Sequence, residues 1–161
     1  MCRCVVGLGS SLGIRREMLE LAVAAIRANP RVTLGRCSRI YETPPLGESS
    51  RMTYLNAAIS LDWEGSPNEL LVLLKSVEER LGRQRSRRWA DRVLDADLLW
   101  VEGYFSNGPN LVVPHPGLKE RNFAIWPLLE VEPGALDESG VTYWQRLQKM
   151  RAPTAVGVLA G

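Results

Sequence analysis

Asp95 and Asp97 stand one residue apart in an otherwise apolar run, Val93-Leu94-Asp95-Ala96-Asp97-Leu98-Leu99. Residues i and i+2 of a strand share a face, so a strand here presents both carboxylates in one direction. Aspartate is disfavoured in strands, and like charges on one face repel unless something positive lies between them. A divalent cation meets that need, because Mg²⁺ takes one or two carboxylates and completes its shell with substrate phosphates. Arg80, Arg83, Arg85, Arg87, Arg88 and Arg92 crowd the residues just before the pair. Together the acid pair and the arginines point to metal–triphosphate chemistry. The plainer alternative is a solvated edge strand behind a charged loop.

A second set of residues suits a flat heterocycle. Tyr54 to Leu61 alternates, with Leu55, Ala57, Ile59 and Leu61 turned to a core and Tyr54, Asn56, Ala58 and Ser60 turned the other way. An aromatic ring and a side-chain amide thus share one sheet face, fit for stacking and edge recognition, or simply for water. Cys4-Val5-Val6-Gly7-Leu8-Gly9 reads as a buried strand. Its glycines do not complete G-x-G-x-x-G, since Leu12 takes the third glycine position. They mark close backbone approach, to a neighbour or to a flat ligand.

The positioning elements follow from periodicity and capping. A helix is expected from about Ile14 to Asn29, apolar along Ile14, Met18, Leu21, Ala22, Ala25 and Ile26, and stopped by Asn29-Pro30. Val32 to Tyr41 reads as a strand. Residues 42–53 form a long loop stiffened by Pro44-Pro45, and longer loops are often functional. Ser66-Pro67-Asn68-Glu69 is a capping box opening a helix with Leu70, Leu74, Val77 and Leu81 as its buried stripe, closed by Gly82. Glu78, near its end, either faces the arginine loop or is a surface residue. Residues 82–92 make that loop, and Val93–Val101 the strand whose other face is Leu94, Ala96, Leu98 and Trp100. Glu102-Gly103 and Ser106–Asn110 read as turns. His115 precedes Lys119, Arg121 and Phe123 in an irregular segment, where a phosphate contact competes with an ordinary structural role. Tyr143, Leu147 and Met150 mark a short helix, and residues 152–161 read as a tail.

The order β-α-β-β-α-β fits a ferredoxin-like α+β sandwich with both helices on one side of the sheet and a helical C-terminal appendix. A length of 161 residues suits one domain, 1–161. The net charge of +2 does not by itself imply nucleic acid or a membrane. Cys2, Cys4 and Cys37 make no disulfide framework and suggest a reducing compartment; Cys2-x-Cys4 lacks further ligands nearby and reads as ordinary thiols. No apolar run reaches membrane-spanning length and the first residues lack a signal-peptide pattern, so a cytoplasmic protein is expected.

The motifs resemble those of the 6-hydroxymethyl-7,8-dihydropterin pyrophosphokinases of folate biosynthesis. The resemblance runs through Val5-Val6-Gly7-Leu8-Gly9-Ser10, Tyr41-Glu42-Thr43-Pro44-Pro45-Leu46-Gly47 and Tyr54-Leu55-Asn56-Ala57-Ala58. It continues in Gly82-Arg83, Arg88-Trp89-x-x-Arg92-x-x-Asp95-x-Asp97, Pro114-His115, Arg121-x-Phe123 and Trp126-Pro127-Leu128, covering residues 4–132. The resemblance implies pyrophosphoryl transfer from ATP to the dihydropterin hydroxymethyl group, with release of AMP. It places the pterin between Tyr54 and Phe123, read at its edge by Asn56 and by Thr43, Pro44 and Leu46. Asp95 and Asp97 match ligands of two Mg²⁺ ions. Arg83 and Arg92 match catalytic positions, and Glu78, Arg85, Trp89, Leu98, His115 and Arg121 match positions near ATP. A monomer is expected, with neither nucleic acid nor membrane as partner.

Such a transfer needs alignment and charge neutralisation more than covalent help. No general base stands out: the hydroxyl proton leaves through metal coordination or to Asp97. Loops 43–53 and 83–92 are expected to act as water-excluding lids. Ser11, Asp91, Ala96 and Pro116 depart from the usual family residues without removing one that the chemistry requires. Two rival readings use the same residues. A single-stranded RNA module would use the arginines, but its usual aromatic motif is absent and paired aspartates repel phosphate without metal. A metal-dependent phosphohydrolase would also use Asp95 and Asp97.

Overall fold

The computed structural model describes residues 1–10, 15–43, 54–83, 94–120, 124–149 and 157–158. The chain opens with β1 (Cys2–Ser10), α1 (Arg15–Arg27), β2 (Val32–Cys37) and β3 (Tyr41–Thr43). β4 (Tyr54–Trp63), α2 (Pro67–Arg83) and β5 (Asp95–Val101) complete the main sandwich. The appendix holds β6 (Ser106–Asn107), β7 (Val112–Val113), α3 (Gly117–Glu120), α4 (Ile125–Val131) and α5 (Tyr143–Lys149), and β8 (Gly157–Val158) is the last described element.

The capping box forms as expected. Ser66 N–H donates to Glu69 Oε1 at 3.1 Å, and Glu69 N–H donates to Ser66 Oγ at 3.2 Å. Glu69 also accepts from Arg31 at 2.8 Å, whose guanidinium lies 4.6 Å from the Trp63 ring centroid. The start of α2 is thereby tied to the end of β4. Leu70, Leu74 and Val77 are fully buried, each contributing about 1.5–3 kcal/mol by leaving water. On α1 the buried face is Met18, Leu19, Ala22 and Ile26; Leu21, expected inside, is exposed. Met18, Ala22 and Ile26 keep their place, and exchanging Leu21 for Leu19 rotates the contact face by roughly 50° from the expected stripe.

The sheet runs β5-β1-β4, with β2 and β3 both pairing the far edge of β4 and β8 outside β3, and these pairings are antiparallel. This is the ferredoxin-like arrangement, but the expected strand from Val32 to Tyr41 is broken at 38–40. Register slips between Leu34 and Cys37, where Arg36 N–H donates to Ser60 Oγ at 2.8 Å. Ser38 then exchanges bonds with Ala58, its N–H donating to the Ala58 carbonyl and its Oγ accepting Ala58 N–H, both at 2.8 Å. Tyr41 resumes pairing opposite Asn56. The segment read as a tail contributes β8, where Gly157 and Val158 pair with Glu42 and Tyr41.

The sheet is buried on both faces. Under α1 and α2 lie Cys4, Val6, Leu8, Leu55, Ile59, Leu61, Ala96 and Leu98. On the other side Val5, Ala58, Leu99 and Trp100 pack with Leu118, Ile125, Leu128, Val131, Tyr143 and Leu147 of the appendix. Trp100 was expected beside Ala96 and Leu98. It crosses to the opposite face because Val5 pairs with Trp100 while Val6 pairs with Leu98, so Leu99 is an extra residue in β5. A bulge of this kind inverts the alternation beyond it. Within the appendix, the two-stranded β6–β7 ladder replaces one expected turn. Buried Asp137 accepts the N–H groups of Ser139 and Val141 and the Ser139 hydroxyl, and pairs with Arg146, closing the loop onto α5.

Candidate active site

Strand register assembles the site as rows across the sheet. Tyr41 pairs with Asn56, Asn56 with Gly9, and Gly9 with Asp95. A second row joins Ala58, Gly7 and Asp97. Directly opposed residues share a face, so the amide of Asn56 and both carboxylates point to the side away from α1 and α2. With strands roughly 4.8 Å apart, the Asn56 and Asp95 positions lie about 10 Å from each other across a glycine.

The glycines settle which neighbour comes close. A Cβ on Gly9 would lie 2.5 Å from the Tyr54 ring, and one on Gly7 would lie 2.9 Å from Leu99. Tyr54 therefore lies across β1, and its hydroxyl donates to Asp95 Oδ2. An aromatic expected to serve one ligand thus also braces a carboxylate expected to serve another.

Above this floor is a cavity of about 280 Å³. Gly7, Gly9, Tyr54, Asn56, Asp95, Asp97 and Leu99 line it from the sheet, and His115, Gly117, Ala124 and Pro127 from the appendix. His115 N–H donates to the Leu99 carbonyl at 2.8 Å, which joins this segment to the bulged part of β5. Its Nδ1 accepts Gly117 N–H at 3.0 Å, so the neutral ring carries its proton on Nε2 and can donate there. Leu99, Ala124 and Pro127 were not foreseen as lining residues. Alternation with Asp95 and Asp97 turns Leu99 to this face, but an apolar side chain there, like Ala124 and Pro127, carries no chemical signal.

Glu78 lies at the free edge of β5. Its Oε1 accepts the N–H of Ala96, the residue between the two aspartates, at 2.8 Å. Burial pushes the Glu78 carboxyl above its ordinary pKa; the Ala96 bond and Lys75 oppose this, and Asp97 and Asp95 add to it. The carboxylate therefore braces the backbone that carries the acid pair.

Leu98 is buried in the core under the helices and turns its side chain away from the cavity-facing residues of β5. Thr43 and Arg83 enter as the last residues of β3 and α2. Pro44, Leu46, Arg85, Trp89, Arg92, Arg121 and Phe123 lie outside the described residues, as do the expected lids apart from those two ends. Among the described residues no group of three or more His, Cys, Asp or Glu could hold a metal. Two adjacent carboxylates fit a hard cation that completes its shell with water and phosphate oxygens, not one caged by protein.

Residues 5–133 match the profile of the 7,8-dihydro-6-hydroxymethylpterin-pyrophosphokinase (HPPK) family. A 2-amino-4-hydroxy-6-hydroxymethyldihydropteridine pyrophosphokinase of Methylorubrum extorquens is 40% identical over 150 residues, 93% of this chain and 94% of that protein. One of Bacillus subtilis is 35% identical over 149 residues, 88% and 89% of the two chains. In fold, the chain is similar to a Plasmodium falciparum HPPK-DHPS crystal structure, with TM-score 0.69 and 13% identity. That match covers 92% of this chain and 44% of the other. On these residues, and on a ferredoxin-like sheet with its acid pair and amide in register, the chain belongs to the 7,8-dihydro-6-hydroxymethylpterin-pyrophosphokinase family.

Proposed function

We propose that this chain transfers pyrophosphate from ATP to the hydroxymethyl group of 6-hydroxymethyl-7,8-dihydropterin in folate biosynthesis, releasing AMP. The observation that carries the reading is the row Asn56–Gly9–Asp95, which sets a heterocycle-reading amide and a phosphate-side carboxylate on one face with a glycine between them. Tyr54 and Asn56 bind the pterin, with Phe123 as the second aromatic. His115, through Nε2, and the arginines near 83–92 bind the triphosphate. Asp95 and Asp97 hold Mg²⁺ ions that come with ATP; when bound, such ions neutralise phosphate charge and polarise the bridging oxygens. The chain's own contribution is alignment of the pterin hydroxyl with the β-phosphorus and exclusion of water from the cavity.

Among the described residues no helix is long and apolar enough to cross a membrane. The reading takes the protein as a cytoplasmic monomer, which light scattering and fractionation test.

Incubation with Mg-ATP and the hydroxymethyl pterin is expected to yield AMP only when the pterin is present. ATP cleavage without pterin would indicate a phosphohydrolase instead. Tyr54→Ala and Phe123→Ala are expected to weaken pterin binding more than nucleotide binding in calorimetry; equal losses would displace the pterin from this aromatic pair.

A further inference from the structure

The break between β2 and β3 brings together three groups that the catalytic reading leaves unused. Glu130 of α4 accepts the backbone N–H of Arg39 at 2.9 Å and its Nε at 3.1 Å through Oε1, while Oε2 accepts the Tyr41 hydroxyl. Arg39 lies in the gap between the two strands, where sheet pairing has lapsed, so a side chain from the appendix supplies the acceptor for its N–H. Tyr41 is 5% exposed and directly opposes Asn56 on the same face. Its side chain is therefore the lateral neighbour of the amide assigned to the pterin.

The other end of the clasp is equally placed. Pro127 and Ala124 line the cavity, and Glu130 follows Pro127 by three residues, about one turn along α4. Ile125, Leu128 and Val131 bury α4 in the appendix core, but apolar packing is non-directional and leaves its slide and tilt over the sheet less strictly fixed. A carboxylate receiving three hydrogen bonds from two residues of the sheet side fixes both. Burial alone would raise the Glu130 pKa, but the bonds from Tyr41 and Arg39 outweigh it and keep the carboxylate below its ordinary value.

We propose that Glu130 and Tyr41 are positioning residues for pterin recognition, with the carboxylate clasping α4 to β3 so that the cavity wall and Asn56 keep one spacing. The proposal rests on the pyrophosphokinase reading and adds a determinant of pterin affinity that touches neither substrate.

The test measures pterin and ATP-analogue affinities by calorimetry, with KM for each substrate, in Tyr41→Phe and Glu130→Gln. Tyr41→Phe removes only a hydroxyl, so it remains informative if the Glu130 variant fails to fold. Leu147→Ala, in the same appendix core, serves as the comparison for loss of stability alone. The expected result is a loss of pterin affinity of roughly tenfold, the size of one charge-assisted hydrogen bond, with ATP-analogue affinity changed less than about twofold. Leu147→Ala is expected to lower Tm without that selective loss. Pterin affinity in both clasp variants within about twofold of wild type, or a selective loss as large in Leu147→Ala, overturns the proposal. Wild-type protein that binds no pterin overturns the underlying reading instead, which separates the two failures.

Discussion

The two faces of one sheet are built for opposite ends. Beneath α1 and α2 the inward side chains of β1, β4 and β5 are apolar apart from Ser10 at the end of β1, and each helix contributes a stripe that meets them. On the opposite face the same strands carry Asp95, Asp97, Asn56 and two glycines at one end and Val5 and Trp100 at the other, with Ala58 level with Gly7 and Asp97. The helix face is a core throughout. The appendix face is core only where α4 and α5 cover it, and the remaining part is a cavity of about 280 Å³. A strand's period of two lets one segment serve both purposes, because neighbouring residues answer to different surroundings. The comparison teaches that stability and chemistry are separable here by face, not by segment.

That separation predicts which measurements each substitution moves. Asp97→Asn, on the cavity face, is expected to lower kcat by roughly 10²–10³-fold with little change in Tm, since it removes charge stabilisation and leaves the helix face intact. Near-normal turnover would break the assignment of that face to chemistry. Leu74→Ala is the converse: fully buried under the sheet, it is expected to cost about 2–5 kcal/mol in denaturant unfolding, with KM unchanged in the folded protein. A specific rise in pterin KM would show that the faces are coupled.

Asp137 tests the covered half of the appendix face. Burial raises its pKa, but bonds from Ser139, Val141 and Arg146 outweigh this and lower it from 3.8 to about 2. A depressed carboxylate stabilises the fold above its unfolded pKa and loses that contribution as pH falls through its folded pKa. The carboxylate is worth on the order of 2 kcal/mol at neutral pH. The gap in stability between wild type and Asp137→Asn should thus hold steady from pH 7 to about 5 and narrow between about 4 and 2. A gap that widens on acidification would reverse the sign. The smallest expected effect belongs to Glu78, a carboxylate reaching from the helix side to the acid pair's backbone. Glu78→Ala leaves the Ala96 N–H without its acceptor and should cost about 1 kcal/mol, together with a raised Mg²⁺ requirement. Stability loss with an unchanged Mg²⁺ titration would confine Glu78 to the helix side.

Much of this division is written in the chain at short range. The capping box at Ser66–Glu69, the stripe Leu70-Leu74-Val77 and the i,i+2 spacing of Asp95 and Asp97 depend on residues within a turn or a pleat of one another. Backbone geometry alone then places them. The order of these elements, with the family motifs, determined the ferredoxin-like sandwich and the identity of the acid pair. Trp100 could not be read in the same way. Its place on the appendix face depends on a bulge, and a bulge exists only against the register of a partner strand, here Val5 and Val6 of β1. The broken edge of β2 and β3, the addition of β8 and the clasp of Glu130 on Tyr41 share that cause. Each joins residues far apart in sequence, where no local period exists to read. The sequence by itself determined which residues could do the chemistry and that two carboxylates would face one way. Tertiary structure decided what faces them, because strand register and the covering of the second face are fixed by contacts between segments and not within them.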